Sequence, residues 1–415
     1  MLEFPQLMLF IILSNQQFDS EMKTNKWHVA NQLVAKGHKV IFVDPPLRFK
    51  ALKNFSKVID KKSENLIVYK PINFLNFKPF SKLNTISQKN IIESAIKILK
   101  AENEKRVLYI YHFDFPDLRD FIRDFKHDIK IYDCVDIYSE FPEYITGAKI
   151  NPSIISLIQQ FDDALKIKLN QNRLSLKSWV DDQEKWLCEN CDLVFASAPG
   201  IVSHLNKWRQ DIHYLPNAVI FEKYDHKNKL PEPHDMKNIG HPRIGFIGAI
   251  DSYKSNIKLI EDCAKTYPEY QFIMVGPEKV SDPNLDLSVL KSLENVHFLG
   301  QKPWEETPAY FDHFDAHFIP YNINDYTVGC HPIKFFEGMA AGIPTITTLS
   351  SIKEFDIDGY STENEHQFIK NIKIALEEDN VQKRKARKEL AKKHSWSSKV
   401  DRQVELITGK LNVRS

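Results

Sequence analysis

The sequence predicts an α/β protein with two Rossmann-like domains, each built on a doubly wound parallel sheet. Short runs of β-branched and aromatic residues alternate with helical patterns, which is typical of parallel βαβ units. This alternation occurs in two blocks, and a polar, proline-bearing segment without periodicity separates them. A chain of 415 residues is also long enough for two domains that each bury a core.

The first domain is predicted over residues 1–215. Its first apolar run, 7–13, is short and has no basic segment before it, so we expect a buried strand and not a secretion signal. A helical pattern follows at 26–37, where apolar residues form one face and Gly37 provides a stop. The strand candidates are 7–13, 38–44, 65–70, 106–112, 129–135 and 192–198.

A helical stretch interrupts this domain at about 152–190. It contains no strand pattern, and apolar residues recur at helical spacing, so an inserted pair of antiparallel helices is expected. Two roles remain open for this insertion: structural filling, or a lid that recognises a ligand.

The second domain is predicted over residues 242–394. The segment 216–241 before it is predicted to be a linker, because its text becomes polar and proline-bearing. A final helical pattern at 395–415 has no strand after it and needs a surface on which to pack. The strand candidates of this domain are 243–249, 271–276, 295–300, 315–321 and 343–348.

The composition argues against several classes of protein. The 56 Lys and Arg residues balance 55 Asp and Glu residues, so no net charge indicates binding to nucleic acid. Five irregularly spaced cysteines suit a reducing compartment. No other segment approaches the roughly 18 apolar residues that a membrane span needs. We therefore expect a cytoplasmic protein.

The segment 330–348, CHPIKFFEGMAAGIPTITT, is the most informative part of the sequence. Pro332 suits the first position of a helix and Gly342 suits the residue after its end, so a helix is predicted over about 332–341. This helix follows the strand candidate at 315–321. Its start therefore lies at the carboxyl edge of a parallel sheet, where α/β folds bind ligands and where helix N–H groups favour an anion.

Two charged residues of this helix indicate what the ligand contains. Lys334 adds a positive charge one turn into the helix, which suits a phosphate. Glu337 lies on the same face, and a carboxylate can accept hydrogen bonds from two vicinal hydroxyls, such as those of a ribose. The alternative is a structural i, i+3 ion pair worth about 0.2–0.5 kcal/mol. The position of the helix in the fold favours the ligand.

The motifs resemble those of the GT-B glycosyltransferases. HPIKFFEGMAAGIPTITT, preceded by NVHFLGQKPWEETPAYFDHFDAHFIPY, is similar to the donor-binding half of the large, mostly retaining group of family 4-like enzymes, which includes bacterial polysaccharide enzymes. YHFDFPD, IYDCVDIYSEFP and LPNAV are similar to first-domain motifs of the teichuronic-acid and capsule branch. The resemblance covers nearly the whole chain except about 152–190.

This resemblance implies transfer of a sugar from a nucleotide-diphosphate donor to a glycan or lipid-linked acceptor. Such transfer would serve the synthesis of a surface polysaccharide such as capsule or lipopolysaccharide. The donor would lie in a cleft between the domains, the first domain would hold the acceptor, and the final helix would cross back onto the first domain. Because fixed cations and helix amides can stabilise the leaving diphosphate, no metal or other cofactor is expected.

Carried over residue by residue, the resemblance implies individual roles. Glu337 would hold the ribose hydroxyls, and Lys334 would bind the diphosphate. His112 would lie near the reacting sugar, although it could equally be an ordinary polar residue at a strand end. The other donor contacts would come from the backbone near the phosphates, from the loop beside the base and from amides before the helix: Gly248, Lys254, Lys302, Pro303, Cys330 and His331.

Five aspartates need separate interpretation. Asp114, Asp133 and Asp136 lie at neighbouring strand ends, and any one would serve as a base if the enzyme inverts. Asp133 and Asp136 could equally cap or brace the following loop. Asp356 and Asp358 form a DxD pattern, which binds a metal in another glycosyltransferase architecture, but here an exposed loop is expected.

The sequence departs from the family pattern at three positions. Gly329 stands where the family often has a first glutamate, eight residues before Glu337. Ala249 stands where an arginine often follows the glycine of GFIG, and Lys254 is out of register with the usual lysine. The missing glutamate keeps two other classes open: a non-catalytic sugar-nucleotide-binding subunit, and an epimerase or hydrolase acting on nucleotide sugars.

Residues 47–82 predict a further partner. They contain nine Lys or Arg residues and two acids, interleaved with phenylalanines. Basic charge beside aromatic rings suits an anionic membrane surface, where a lipid-linked acceptor would be found. The alternative is a solvated basic face with its aromatic rings in the core.

Overall fold

An eight-stranded sheet forms the centre of the first structural unit. The computed structural model describes residues 7–46, 58–71, 78–113, 115, 117–141, 176–226, 228–279, 282 and 284–414. The strand order is β3-β4-β2-β1-β5-β6-β7-β8, in which only β3 is antiparallel to its neighbour. The strands are β1 Met8–Leu13, β2 Lys39–Val43, β3 Ile59–Ser63, β4 Leu66–Tyr69, β5 Lys105–Ile110, β6 Ile129–Cys134, β7 Leu193–Ala196 and β8 Ile212–Tyr214.

The sequence predicted the central strands of this sheet and missed two strands at its edges. The predicted strand at 7–13 is confirmed: β1 is buried along its whole length and pairs with β2 and β5. At one edge, β3 is polar and largely exposed, so it carries no apolar run to detect. At the other edge, β8 has only three residues. The helices are Asn25–Ala35, Lys78–Ile98, Leu118–Asp124, Leu176–Asn190 and Pro199–Leu205.

A five-stranded, fully parallel sheet forms the centre of the second unit. Its order is β11-β10-β9-β12-β13. The strands are β9 Arg243–Ile247, β10 Gln271–Val275, β11 Val296–Gly300, β12 Ala316–Ile319 and β13 Thr345–Thr347. The helices are Ile257–Thr266, Ser288–Lys291, Thr307–Asp312, Ile333–Ala341, Glu365–Glu378 and Val381–Lys393, and the final helix Trp396–Arg414 belongs mostly to the first unit. All five strands were predicted from the sequence.

The segment 216–241, which was predicted to be a linker, contributes apolar residues to a core. Val219, Phe221, Tyr224 and Met236 are buried in a core cluster of the second unit, together with residues of the helix Ile333–Ala341. Val219, Phe221 and Tyr224 precede the polar, proline-bearing text, and Met236 lies within it without a helix or strand period. No secondary-structure pattern therefore indicates that they are buried.

The chain divides into two compact units. One comprises 1–197, 201–215 and 400–415, and the other comprises 198–200 and 216–399. The side-chain amide of Gln403 donates a 2.7 Å hydrogen bond to Tyr109 Oη in β5, so the final helix contacts the first sheet. The domain limits given above remain predictions.

Several predicted features lie wholly or partly outside the described residues. These are Asp114, the part of the helical insertion before residue 176, and residues 47–57 and 72–77 of the basic segment 47–82. Of the insertion, the helix Leu176–Asn190 is described. No helix in the described part of the chain is long and apolar enough to cross a membrane.

Candidate functional site

The predicted ligand-binding helix runs over Ile333–Ala341 and follows β12, so its start lies at the carboxyl edge of the second sheet. Its end was predicted correctly, because Gly342 adopts the left-handed conformation with φ of 82°. Its start is one residue later than predicted. Pro332 has an extended backbone and precedes the first helical turn. The first N–H groups of the helix have no acceptor within the helix and point toward this edge.

This helix lies very close to the sheet below it. A Cβ atom on Gly338 would overlap the hydroxyl of Thr345 and would lie 3.1 Å from Nδ1 of His317. His317 is fully buried, and burial, followed by the charge of Lys334, lowers its pKa to about 3. The sheet therefore meets the helix with a neutral imidazole, and the small residues behind Glu337 permit the close approach that the sequence predicted.

Lys334 and Glu337 form an ion pair at the start of the helix. Lys334 Nζ lies 3.1 Å from Glu337 Oε2, and the two side chains are 28% and 3% exposed. Glu337 Oε2 receives no aligned hydrogen bond from any residue that the structure describes. The structural pair considered above therefore exists, but it is not an ordinary surface pair. A buried carboxylate oxygen can still accept a hydrogen bond, and a ligand hydroxyl would donate one.

Near this pair lie three residues that the sequence did not single out: Lys223, Tyr224 and Trp304. Lys223 Nζ donates to the backbone oxygen of Trp304 at 2.5 Å and lies 3.0 Å from the centre of the indole ring. Burial, and then the charge of Glu337, raises the pKa of the Tyr224 hydroxyl well above its usual range. Lys223 and Tyr224 belong to the presumed linker, so no motif drew attention to them.

Lys223 should give the protein a pH-dependent stability. Burial lowers its pKa from 10.5 to about 7, an effect that Glu337 opposes and Lys334 reinforces. Between these two pH values the unfolded chain binds more protons than the folded one, so the contribution of Lys223 to stability rises with pH. The melting temperature of wild type minus that of Lys223→Met should therefore increase from pH 7 to pH 9. Lys370→Met, at an exposed position, should have the melting temperature of wild type at both pH values. If wild type and Lys223→Met differ in melting temperature by the same amount at pH 7 and pH 9, the prediction is contradicted.

The loop expected beside the base is held by its own ion pair. Lys302 Nζ lies 2.7 Å from Asp235 Oδ2, and the hydroxyl of Tyr310 donates to the same carboxylate. Pro303 is exposed and precedes the short helix Trp304–Glu306. Lys302 therefore anchors the loop, and the exposed proline is free to border a ligand.

Gly248 was predicted to let the backbone approach the phosphates, and this role stays a prediction. A Cβ on Gly248 would meet only the ring of Phe246, at 3.3 Å. A Cβ on Gly276 would instead overlap the backbone oxygen of Gly248, and Gly276 has φ of 147°, which favours glycine. Lys254 lies between two aromatic rings, with Nζ 5.4 Å from the ring centre of Tyr253 and 5.3 Å from that of Tyr326.

The residues just before the helix differ from expectation. The N–H of Cys330 donates to the Thr327 carbonyl at 2.9 Å, so it is not available to a phosphate. His331 is buried against Phe336 and Phe355, and burial lowers its pKa to about 3. Its ring is therefore neutral and packs in the core. The helix N–H groups and Lys334 are therefore the groups here that could bind a phosphate.

In the first unit, His112 follows β5 and is 3% exposed. Its ring stacks on Phe113 at 4.0 Å between centres and meets Tyr138 edge-on at 4.5 Å. Asp133 is fully buried, and its Oδ2 accepts a 2.7 Å hydrogen bond from Tyr109, so Asp133 braces the sheet and is not a solvent-facing base. Asp136 is half-buried after β6.

The DxD pattern is not an exposed loop. Asp356 accepts hydrogen bonds from the N–H groups of Gly359 and Ser361. Asp358 is 8% exposed and lies 2.5 Å from Nε of the buried Arg387. Both carboxylates are occupied by the protein's own donors, which supports a structural role.

Comparison with known proteins agrees with this architecture. Residues 241–378 match the family described as Glycosyl transferases group 1. The chain is 25% identical over 252 residues to the putative teichuronic acid biosynthesis glycosyltransferase TuaH of Bacillus subtilis strain 168, a match that spans 60% of this chain and 56% of that protein.

Solved structures show the same fold at low sequence identity. Sucrose-phosphate synthase from Thermosynechococcus elongatus has a TM-score of 0.68 at 13% identity, over 98% of this chain and 100% of its own. HepE from Anabaena, in complex with UDP, has a TM-score of 0.61 at 12% identity, over 97% of this chain and 100% of its own.

Two parallel-sheet α/β units of this kind have the GT-B fold, as predicted. Within that class, residues 241–378 are similar to the glycosyl transferases group 1 family. The family resemblance of the motifs is thereby confirmed.

Proposed function

We propose that the protein is a glycosyltransferase that moves a sugar from a nucleotide-diphosphate donor to a glycan or lipid-linked acceptor, with retention of configuration. The observation that most strongly supports this proposal is the buried carboxylate of Glu337 beside Lys334. The two residues lie at a helix start on the carboxyl edge of a parallel sheet. The relation to a teichuronic-acid protein supports a role in bacterial surface polysaccharide synthesis, with capsule and lipopolysaccharide as related products.

The donor binds to the second unit. Lys334 and the first N–H groups of the helix Ile333–Ala341 neutralise the diphosphate, and Glu337 accepts hydrogen bonds from the ribose hydroxyls. The loop that contains Pro303 and Trp304 borders the base. Because negative charge builds on the diphosphate as the sugar leaves, these fixed positive groups stabilise the transition state more than the bound donor.

The acceptor binds to the first unit. His112 lies near the reacting sugar, and its contacts with Phe113 and Tyr138 hold the ring in one orientation. Asp136 is the candidate base if the reaction inverts. The protein works in the cytoplasm at the inner face of the membrane, which the basic segment 47–82 contacts.

An activity assay tests this proposal against its alternatives. The protein is incubated with a panel of nucleotide sugars, first alone and then with lipid-linked or oligosaccharide acceptors, and Lys334→Ala is the control. Acceptor-dependent release of nucleoside diphosphate supports a transferase. Release without acceptor indicates a hydrolase, altered donor without release indicates an epimerase, and binding without turnover indicates a binding subunit.

Donor binding should not need a metal ion, because Lys334 and the helix supply the positive charge. The affinity for a nucleoside diphosphate, measured by calorimetric titration, should therefore agree within about twofold with and without EDTA, a difference below about 0.5 kcal/mol. Binding that is lost in EDTA and restored by Mn²⁺ would show that a cation belongs at the diphosphate.

A further inference from the structure

Three metal-ligating side chains come together in the first unit, away from the groups assigned to the donor. Asp181 and Glu184 lie one turn apart on the helix Leu176–Asn190, and His204 lies on the helix Pro199–Leu205. Each offers one ligand atom, and these three atoms all lie within 4.8 Å of one another. His204 Nε2 is 3.0 Å from Glu184 Oε2. The sequence shows no sign of this cluster, because its members come from two helices.

The cluster places two carboxylates close together in a buried setting. Glu184 is fully buried. The Oδ1 atom of Asp181 is also buried, and it accepts no hydrogen bond from any residue that the structure describes. Two neighbouring carboxylates repel each other, and desolvation makes this repulsion costly. A bound cation would remove the repulsion and supply the missing partner of Asp181.

The surroundings orient Glu184 toward such a cation. The hydroxyl of Tyr132 in β6 donates to Glu184 Oε1 at 3.0 Å, which leaves Oε2 facing His204. A hydrogen bond from outside the ligand set is the usual way in which proteins fix a metal-binding carboxylate. Cys134 is also close, with Sγ 3.7 Å from Oε1. Its Sγ also donates to the backbone oxygen of Asp136 at 3.2 Å, and Cys134 is not one of the three grouped ligand residues.

We propose that Asp181, Glu184 and His204 bind a divalent transition-metal ion, with zinc as the best match. One imidazole nitrogen and two carboxylate oxygens are ligands that zinc accepts at about 2.0–2.2 Å. Ligand atoms around a tetrahedral zinc then lie roughly 3.3 Å apart, close to the His204–Glu184 separation. The ion ties the two helices together and stabilises the first unit. It takes no part in the donor chemistry, and this inference does not depend on the proposed function.

The test uses the untagged full chain, stripped with a chelator and then equilibrated with zinc or, separately, manganese. After desalting, metal content is measured by mass spectrometry, and thermal unfolding is recorded with and without zinc. We expect about one zinc per chain and a higher melting temperature with zinc, because the folded state alone has the assembled site. Co²⁺ in place of zinc should give visible absorption of a low-symmetry, nitrogen- and oxygen-ligated site.

Variants separate this site from other zinc-binding groups. Asp181→Asn and His204→Gln should each weaken zinc binding at least tenfold and abolish the zinc-dependent rise in melting temperature. Asp182→Asn is the matched control, because Asp182 neighbours the cluster on the same helix but pairs with Arg119 at 2.5 Å. It should bind zinc like wild type. Failure of wild type to retain zinc, or equal retention by Asp181→Asn and wild type, would overturn the proposal.

Discussion

Replacing Glu337 by glutamine should weaken the binding of a nucleoside diphosphate about ten- to a hundredfold while the protein remains folded. The carboxylate is 3% exposed and has a lone pair without an aligned donor, so ribose hydroxyls would make charge-assisted hydrogen bonds with it. The loss of such bonds is worth roughly 1.5–3 kcal/mol. Calorimetric titration of the two proteins measures this difference directly.

Two companion variants show which role Glu337 has. Lys334→Ala should weaken the binding of a nucleoside diphosphate far more than that of the free nucleoside, because only the diphosphate carries the charge that Lys334 meets. Glu269→Gln, at an exposed position just before β10 in the same unit, should leave both affinities unchanged. If Glu337→Gln and Lys334→Ala both bind like wild type and lose only a few tenths of a kcal/mol of stability, the pair is structural and the donor binds elsewhere.

Replacing Arg387 by alanine should destabilise the second unit by about 3–5 kcal/mol, the usual cost of breaking a buried charge network by removing one partner. The Arg387 side chain is 1% exposed. It lies 2.5 Å from Asp358, 2.8 Å from Asp379 and 2.7 Å from the backbone oxygen of Gly342. Its loss leaves Asp358 buried without its cation and frees the end of the helix that carries Glu337.

Urea unfolding of the full chain, followed by circular dichroism, measures the cost of this change. Lys388→Ala is the matched control, because Lys388 follows Arg387 on the same helix and makes one partly exposed ion pair, 3.3 Å from Asp225. The control should cost at most about 1 kcal/mol. Equal costs for the two variants would mean that the network around Arg387 contributes no more than a surface pair.

The sequence predicted well whatever local patterns determine. Continuous apolar runs identified the buried parallel strands, and the Gly342 stop identified the end of the helix at the site. Glu337 and Lys334 were found because they share one helix face beside a sheet edge. All of these features depend on residues that are close together in the sequence.

Features that depend on distant contacts were missed or misplaced. Lys223 and Tyr224 reach the site from a segment that resembles a linker, because its buried residues follow no period. Arg387 determines that Asp358 is buried, although 29 residues separate them in the sequence. Single-sequence patterns contain no information about such partners.

If the donor binds at this helix, as proposed, the contact between Gly338 and the sheet limits how the protein can change its donor. Because even a methyl group at Gly338 would overlap Thr345, the helix has no freedom to slide or roll across the strands. A new donor must therefore be accommodated by the parts that surround the helix, chiefly the loop around Trp304 and the segment around Lys223. Selection for altered donor preference should accumulate substitutions there, and the helix itself should stay nearly invariant.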